Sequence, residues 1–185
     1  MQGNPVGDIA LPGRRHGILW VTPPMDSRTQ NVHLRPAVAS DAGVIARFNA
    51  RMAEETEHLT LDPGRLLAGV RAILGDPAKG FYTLAEVDGH VAGQTMITFE
   101  WSDWRNANFW WIQSVYVKPE FRGRGVYRAL YRHIEEQARE KGACGLRLYV
   151  ERENTRARET YRRCGMNESP YLMYEVDYVV ARGGK

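Results

Sequence analysis

Short apolar segments with two different periodicities divide the first half of the chain. Residues 32–37 alternate apolar and polar side chains, which predicts a strand. Residues 44–52 and 66–74 carry apolar side chains at helical spacing, which predicts two helices. The second helix has a clear start, because Asp62 is a favoured cap and Pro63 suits the first helical position.

A hairpin is predicted in the middle of the chain. Two alternating runs within FYTLAEVDGHVAGQTMITFEW flank Asp88 and Gly89, a pair typical of tight hairpin turns. The polar, tryptophan-rich residues 101–108 predict a loop. Residues 109–117 are apolar on both faces, which predicts a central strand that is covered on both sides.

The second half alternates helices and strands. Residues 126–141 and 154–164 predict helices, each followed by a glycine. Residues 144–150 predict a buried strand, and residues 169–178, SPYLMYEVDY, predict a last strand that closes the sheet. The complete predicted order is β-α-α-β-β-β-α-β-α-β.

Length and composition are those of one globular domain. The chain has 185 residues, of which 43% are hydrophobic and 25% charged, and such a core needs no disulfide or metal. We assign residues 31–180 to this domain and residues 1–30 to an irregular N-terminal extension, in which Met25 is an alternative start. The formal net charge of +3 suits an anionic small ligand at least as well as nucleic acid.

Membrane, secreted and metal-binding proteins are disfavoured by the sequence. No apolar run approaches the roughly 20 residues that a membrane helix needs. The first residues lack the long apolar centre of a signal peptide. Cys144 and Cys164 form no CxxC pair and have no histidine cluster nearby, so we expect reduced thiols, a cytoplasmic protein and no metal.

A glycine- and arginine-rich turn joins the predicted central strand to the next helix. Arg122, Gly123, Arg124 and Gly125 stand between them. The first amides of a helix lack intrahelical partners and point outward, and the helix dipole adds positive charge. Glycine lets the backbone approach a phosphate closely. The turn therefore indicates an anion site or, equally well from this stretch alone, an ordinary turn.

A second motif lies about thirty residues downstream. Asn154, Ala157, Tyr161 and Gly165 stand at N-x-x-A-x-x-x-Y-x-x-x-G, after R-x-x-G-x-Y at residues 122–127. Together the two motifs resemble those of the GNAT superfamily of acetyl-CoA-dependent N-acetyltransferases, over roughly residues 32–178. The resemblance implies an α+β fold with a central mixed, mostly antiparallel sheet whose splayed strands are flanked by helices.

Acetyl-CoA is the co-substrate that the resemblance implies. The pantetheine arm would lie between the splayed strands 109–117 and 144–150, and the pyrophosphate would lie on the glycine-rich turn. The implied coenzyme contacts are Val115, Tyr116, Val117, Arg122, Gly123, Arg124, Gly125, Val126, Tyr127 and Asn154. Tyr127 departs from the pattern, which usually has glycine or alanine there, and its side chain either crowds the pyrophosphate or points away.

The resemblance also implies catalytic residues. Tyr161 matches the tyrosine that gives a proton to the departing thiolate; packing as a helix aromatic is the other interpretation. Gln113 stands where some relatives have a glutamate, and an amide cannot accept the proton of the amine. Glu100 is then the nearest candidate for the general base, and a water chain is the alternative.

The acceptor is predicted from acids and tryptophans that border the expected cleft. Carboxylates and indole rings suit a cationic amine, through ion pairs and cation–π contacts. The candidate residues are Glu54, Glu57, Trp101 and Trp111. The other interpretation has the acids on a solvated helix face and the tryptophans in the core or in a dimer contact. Exposed tryptophans suggest a homodimer.

Two other classes of protein remain as alternatives. A non-catalytic acyl-CoA sensor is supported by Gln113 and Tyr127 and opposed by Tyr161. A nucleic-acid-binding module is supported by the arginines of residues 122–132 and 152–163. Coenzyme phosphates explain these arginines, and no aromatic side chains interleave with them as a base-stacking surface requires.

Overall fold

One mixed sheet with helices on both faces forms the protein. The computed structural model describes residues 32–180, so the predicted extension 1–30 lies outside the described residues. The strands are β1 Val32–Pro36, β2 Phe81–Val87, β3 His90–Ser102, β4 Ala107–Val117 and β5 Gly145–Arg147. The helices are α1 Ala42–Glu57, α2 Pro63–Gly75, α3 Val126–Glu140 and α4 Thr155–Arg163. Short 3-10 helices cover Ala39–Asp41 and Pro119–Phe121.

The sheet is mixed and mostly antiparallel, as the resemblance implied. Its order is β1-β2-β3-β4-β5, and only β5 runs parallel to its neighbour β4. The β4–β5 pairing covers three residues, from Phe109 opposite Gly145 to Trp111 opposite Arg147. β4 then continues to Val117 without β5 beside it, so the two strands diverge.

Separate clusters of apolar side chains cover the two faces of the sheet. On one face, Ile97 and Trp110 pack with Ile134 of α3. On the other face, Leu84 packs with Ile45 of α1, in a cluster that α2 also joins. Because each helix buries one apolar stripe, these two layers fix which face each strand residue occupies.

The predicted helix start and hairpin are confirmed. The Asp62 carboxylate accepts a hydrogen bond of 2.6 Å from the amide of Arg65, and Pro63 opens α2. Asp88 and Gly89 form the turn between β2 and β3. The loop predicted at 101–108 is shorter than expected, because Ser102 pairs with Ala107 and leaves only residues 103–106 as a turn.

Two strand predictions at the end of the chain were wrong in extent or in kind. The strand expected at 144–150 is half-buried and covers only Gly145–Arg147. The strand expected at 169–178 does not form, and its large side chains, Tyr174 among them, are exposed. Alternation creates strand propensity, but a strand also needs a paired neighbour, and none of the described strands pairs with this segment.

Membrane-spanning helices and metal clusters are both absent from the described part of the chain. No helix among residues 32–180 is long and apolar enough to span a membrane. Over the same residues, no cluster of three or more His, Cys, Asp or Glu side chains has the geometry to hold a metal ion.

Candidate functional site

The turn between β4 and α3 presents unpaired backbone amides. Gly123 and Gly125 have φ angles of 77° and 82°, a left-handed conformation that favours glycine. The first backbone bond into α3 runs from the Ala129 amide to the Gly125 carbonyl, at 2.9 Å. Among residues 32–180, the amides of Gly123, Gly125, Val126 and Tyr127 find no acceptor. We call residues 122–127 the amide loop, and its free donors at a helix start suit a phosphate.

The Arg122 side chain is turned back towards the sheet. Its Nε donates to the Val117 carbonyl at 2.8 Å, and its guanidinium donates to Glu55 at 2.5 Å. Glu55 also accepts a hydrogen bond from the Tyr116 hydroxyl at 3.1 Å. Glu55 therefore ties the end of α1 to the amide loop, a role that sequence reasoning missed. The only sequence signal was an acid at a helix C-terminus, where the dipole disfavours it.

Tyr127 points away from the amide loop. Its ring packs against the cluster that contains Ile97 and lies 6.2 Å from the Tyr131 ring and 5.8 Å from the Tyr161 ring. Its buried hydroxyl has no partner within the described residues, and burial raises its pKa far above the usual range. Of the two predicted orientations, the structure has the one that leaves the loop open.

Tyr161 lies on the α3 face of the sheet, beside Tyr127. Burial, and to a lesser degree the nearby Cys164, raise the pKa of Tyr161 above its usual value of 10.0. The phenol therefore stays protonated at physiological pH. Asn154 precedes α4 and caps it, because its side chain accepts a 3.0 Å hydrogen bond from the Ala157 amide.

A gap with available backbone groups opens where β4 leaves β5. The Lys118 amide donates to Ala92 of β3 at 2.9 Å. Backbone groups of successive strand residues point to opposite sides, so those of Val117 and Val115 face the gap. A β-bulge adds to the opening, because Ser114 pairs with Met96 and Ile112 with Ile97, which leaves Gln113 extra.

The bulged residue Gln113 anchors a polar chain on the other face of the sheet. Its amide nitrogen donates to the Thr98 hydroxyl at 2.9 Å, and its oxygen accepts from the Tyr149 hydroxyl at 3.3 Å. The Tyr149 ring lies 6.1 Å from the Trp111 ring. Tyr149 was not predicted to belong to the site. Its position in the 144–150 alternation, two residues after Arg147, was the available signal.

Both carboxylate oxygens of Glu100 are occupied. One accepts from the Trp111 indole nitrogen, and the other accepts from Arg147 at 2.6 Å. The hydrogen bond from Trp111, and to a lesser degree that from Arg147, lower the pKa of Glu100. A carboxylate held ionised in this way is a poor proton acceptor.

Comparison with known proteins identifies the family. The family model of the acetyltransferase (GNAT) family matches residues 46–166. The chain belongs to the GNAT acetyltransferase family.

Curated GNAT relatives match over part of their length. Thialysine N-epsilon-acetyltransferase of Bos taurus is 35% identical over 78 residues, 42% of this chain and 45% of that protein. Streptothricin acetyltransferase of Streptomyces lavendulae is 36% identical over 89 residues, 45% of each chain. The chain thus spans about half the length of these curated relatives.

Solved GNAT structures match over more of the chain. A possible acetyltransferase from Clostridium difficile 630 has a TM-score of 0.75 at 43% identity and covers 80% of this chain and 99% of its own. An aminoglycoside N-acetyltransferase in complex with CoA has a TM-score of 0.67 at 16% identity, with 84% of this chain and all of its own covered. At that identity, the second match shows the fold alone.

The residues predicted to bind the acceptor do not all come together in this GNAT domain. Trp111 and Glu100 share one face and contact each other. Trp101, adjacent to Glu100 in β3, points to the opposite face and is 60% exposed. Glu54 and Glu57 lie exposed near the end of α1. The structure therefore joins Trp111 to Glu100 but not to Trp101.

Proposed function

We propose that the protein is an N-acetyltransferase that moves the acetyl group of acetyl-CoA to a primary amine. The observation that carries this proposal is the amide loop beside the gap between β4 and β5. Free amides at a helix start suit a pyrophosphate, and strand backbone facing a gap suits an amide-containing arm. Relatives named as N-acetyltransferases support the same reaction.

Coenzyme binding is proposed to depend on backbone more than on side chains. The backbone groups of Val115 and Val117 would hold the pantetheine arm, and the amide loop would hold the pyrophosphate. Arg124 is the better placed loop arginine for a phosphate, because Glu55 and the strand already engage the Arg122 side chain. Asn154 contributes by fixing the start of α4 beside the gap.

The proposed chemistry divides between the two faces of the sheet. Acetyl-CoA supplies an activated acyl thioester. Tyr161, on the α3 face, keeps its proton and donates it to the sulfur that leaves. Gln113 and Tyr149, on the α1 face, orient the amine by hydrogen bonds. The engaged Glu100 leaves solvent as the acceptor of the amine proton.

Gln113→Glu tests the absence of a base. We expect kcat/KM of the wild type to rise about tenfold per pH unit below the pKa of the amine, because only the neutral amine attacks. A carboxylate at this position accepts the proton, so kcat/KM at pH 7 should rise about tenfold and the pH profile should flatten. A steep profile in the variant, with Glu100→Gln as the control that removes the other acid, would contradict this assignment.

The decisive test of the function combines binding with turnover. Acetyl-CoA is titrated calorimetrically into the folded protein, and a panel of amines is then assayed by thiol release. We expect micromolar binding and acceptor-dependent release. Binding without release from any amine would favour the alternative, an acyl-CoA sensor, which the missing carboxylate at Gln113 supports. Absence of binding would overturn both.

Location and assembly are separate parts of the proposal. The free thiols of Cys144 and Cys164 support a cytoplasmic location. Trp104, at 86% exposure, and Trp101 support a homodimer in which these rings are covered.

A further inference from the structure

The ring of Phe109 lies between two guanidinium groups at the end of the β4–β5 pairing. The Arg147 guanidinium carbon is 3.7 Å from the ring centroid, and that of Arg105 is 5.0 Å away. Arg105 also donates to the Ser102 hydroxyl at 3.3 Å. The neighbouring acid Asp103 accepts from the amide of Trp104. Two cations thus flank one ring, and among residues 32–180 the carboxylate paired with either is Glu100.

Arg147 is held rigidly and still has donors to offer. Stacking on Phe109 and the 2.6 Å bond to Glu100 fix its plane. That bond uses one terminal nitrogen, and no other acceptor contacts the side chain within the described residues. The side chain is 34% exposed. A guanidinium in this state is a pre-organised receptor for a carboxylate, since its planar donors match two oxygens.

Glu100 does not offer a matching site for a cation. Its oxygens already accept from Trp111 and Arg147. An approaching ammonium group would compete with a guanidinium already in place. The cluster therefore favours an anionic group on the acceptor over a second cationic one.

The distance from Arg147 to the reacting end sets the length of that acceptor. Arg147 stacks over Phe109, and Gln113 lies two residues beyond Trp111 and four beyond Phe109 on the same strand. At about 3.3 Å per residue, two to four strand residues span roughly 7–13 Å. The Trp111 and Tyr149 rings line the path between them.

We infer that Arg147 determines acceptor specificity, by binding a carboxylate of an amine substrate whose amino group reaches Gln113 and Tyr149. The acceptor is then an amino acid or short peptide with its amine and carboxylate well separated, rather than a polyamine. This inference rests on the proposed acetyltransferase function and names the acceptor class of the same site.

A matched pair of acceptors isolates the carboxylate. 6-Aminohexanoate and hexylamine both carry one primary amine at the end of a similar chain and differ in the carboxylate. Their kcat/KM values are compared for the wild type, Arg147→Gln and Arg147→Lys. Arg139→Gln is the control, because Arg139 is also ion-paired, to Glu135 at 2.7 Å, but lies on α3.

The expected result is a loss confined to one substrate. The wild type should prefer 6-aminohexanoate about tenfold or more, as expected when a charged partner is satisfied only by one substrate. Arg147→Gln should remove that preference, with hexylamine turnover and the KM for acetyl-CoA unchanged. Arg147→Lys should restore part of it, and Arg139→Gln should behave as the wild type. Equal turnover of both amines by the wild type, or equal losses in Arg147→Gln, would overturn the inference.

A binding measurement separates this inference from the proposed function. 6-Aminohexanoate is titrated calorimetrically into the protein saturated with CoA. Binding that Arg147→Gln abolishes would support the carboxylate site even where no thiol is released, in which case only the transferase function fails. Absence of binding to the folded wild-type complex would overturn the carboxylate site.

Discussion

Gly125→Glu is expected to abolish acetyl-CoA binding. Gly125 has a φ of 82° immediately before α3, where a side chain strains the backbone by roughly 1–2 kcal/mol. The new carboxylate would also lie beside the amides that we assign to the pyrophosphate, and like charges repel. Together these effects should weaken binding by at least about 100-fold, close to 3 kcal/mol. Calorimetric titration of acetyl-CoA measures the loss.

Gly142→Glu is the matched control for this substitution. Gly142 has a φ of 70° and lies at the other end of α3, and a Cβ atom added there would have no neighbour within 4 Å. The backbone strain is therefore similar, whereas the amide loop is untouched. Equal weakening in both variants would mean that helix destabilisation explains the loss. Full binding by Gly125→Glu would remove the amide loop from the coenzyme site.

The amide loop could be predicted from sequence because its determinants are local. Glycine at a left-handed φ and a helix start need only a few consecutive residues, so the motif at 122–127 specified them. The direction of the Tyr127 side chain was not predictable in the same way. It depends on the space beside Tyr131 and Tyr161, which two separate helices create.

The residues missed by sequence reasoning depend on contacts between distant segments. Glu55 reaches Arg122 across 67 positions, and Tyr149 reaches Gln113 across 36. Neither pairing has a local pattern. The absent strand at 169–178 has the same origin, because alternation records propensity and cannot show whether a sheet edge is available.

The geometry explains why the sequence contains two polar groups at the gap from opposite sides. Thr98, which binds Gln113, follows Ile97, which packs on the α3 face, and neighbouring strand residues point to opposite faces. Tyr161 belongs with Ile97 on the α3 face, through Tyr127. A thioester in the gap would therefore meet a proton donor on one side and an amine on the other.

Tyr161→Phe is expected to lower kcat about 100-fold while acetyl-CoA still binds, because a positioned general acid typically contributes 10²–10⁴-fold. The raised pKa of Tyr161 keeps the phenol protonated, so the wild-type rate should not fall through its ionisation below about pH 10. Single-turnover thiol release measures the chemical step, and calorimetry measures binding.

Tyr127→Phe provides the control, because the two rings lie 5.8 Å apart and both are largely buried. The Tyr127 hydroxyl has no partner within the described residues, so its removal should leave kcat unchanged and should not destabilise the fold. If both variants lose activity equally, packing between α3 and α4 is the cause and Tyr161 is not the acid. If Tyr161→Phe alone retains full kcat, the leaving sulfur takes its proton from solvent, and the hydrogen-bonded chain at Gln113 becomes the part of the site that controls the rate.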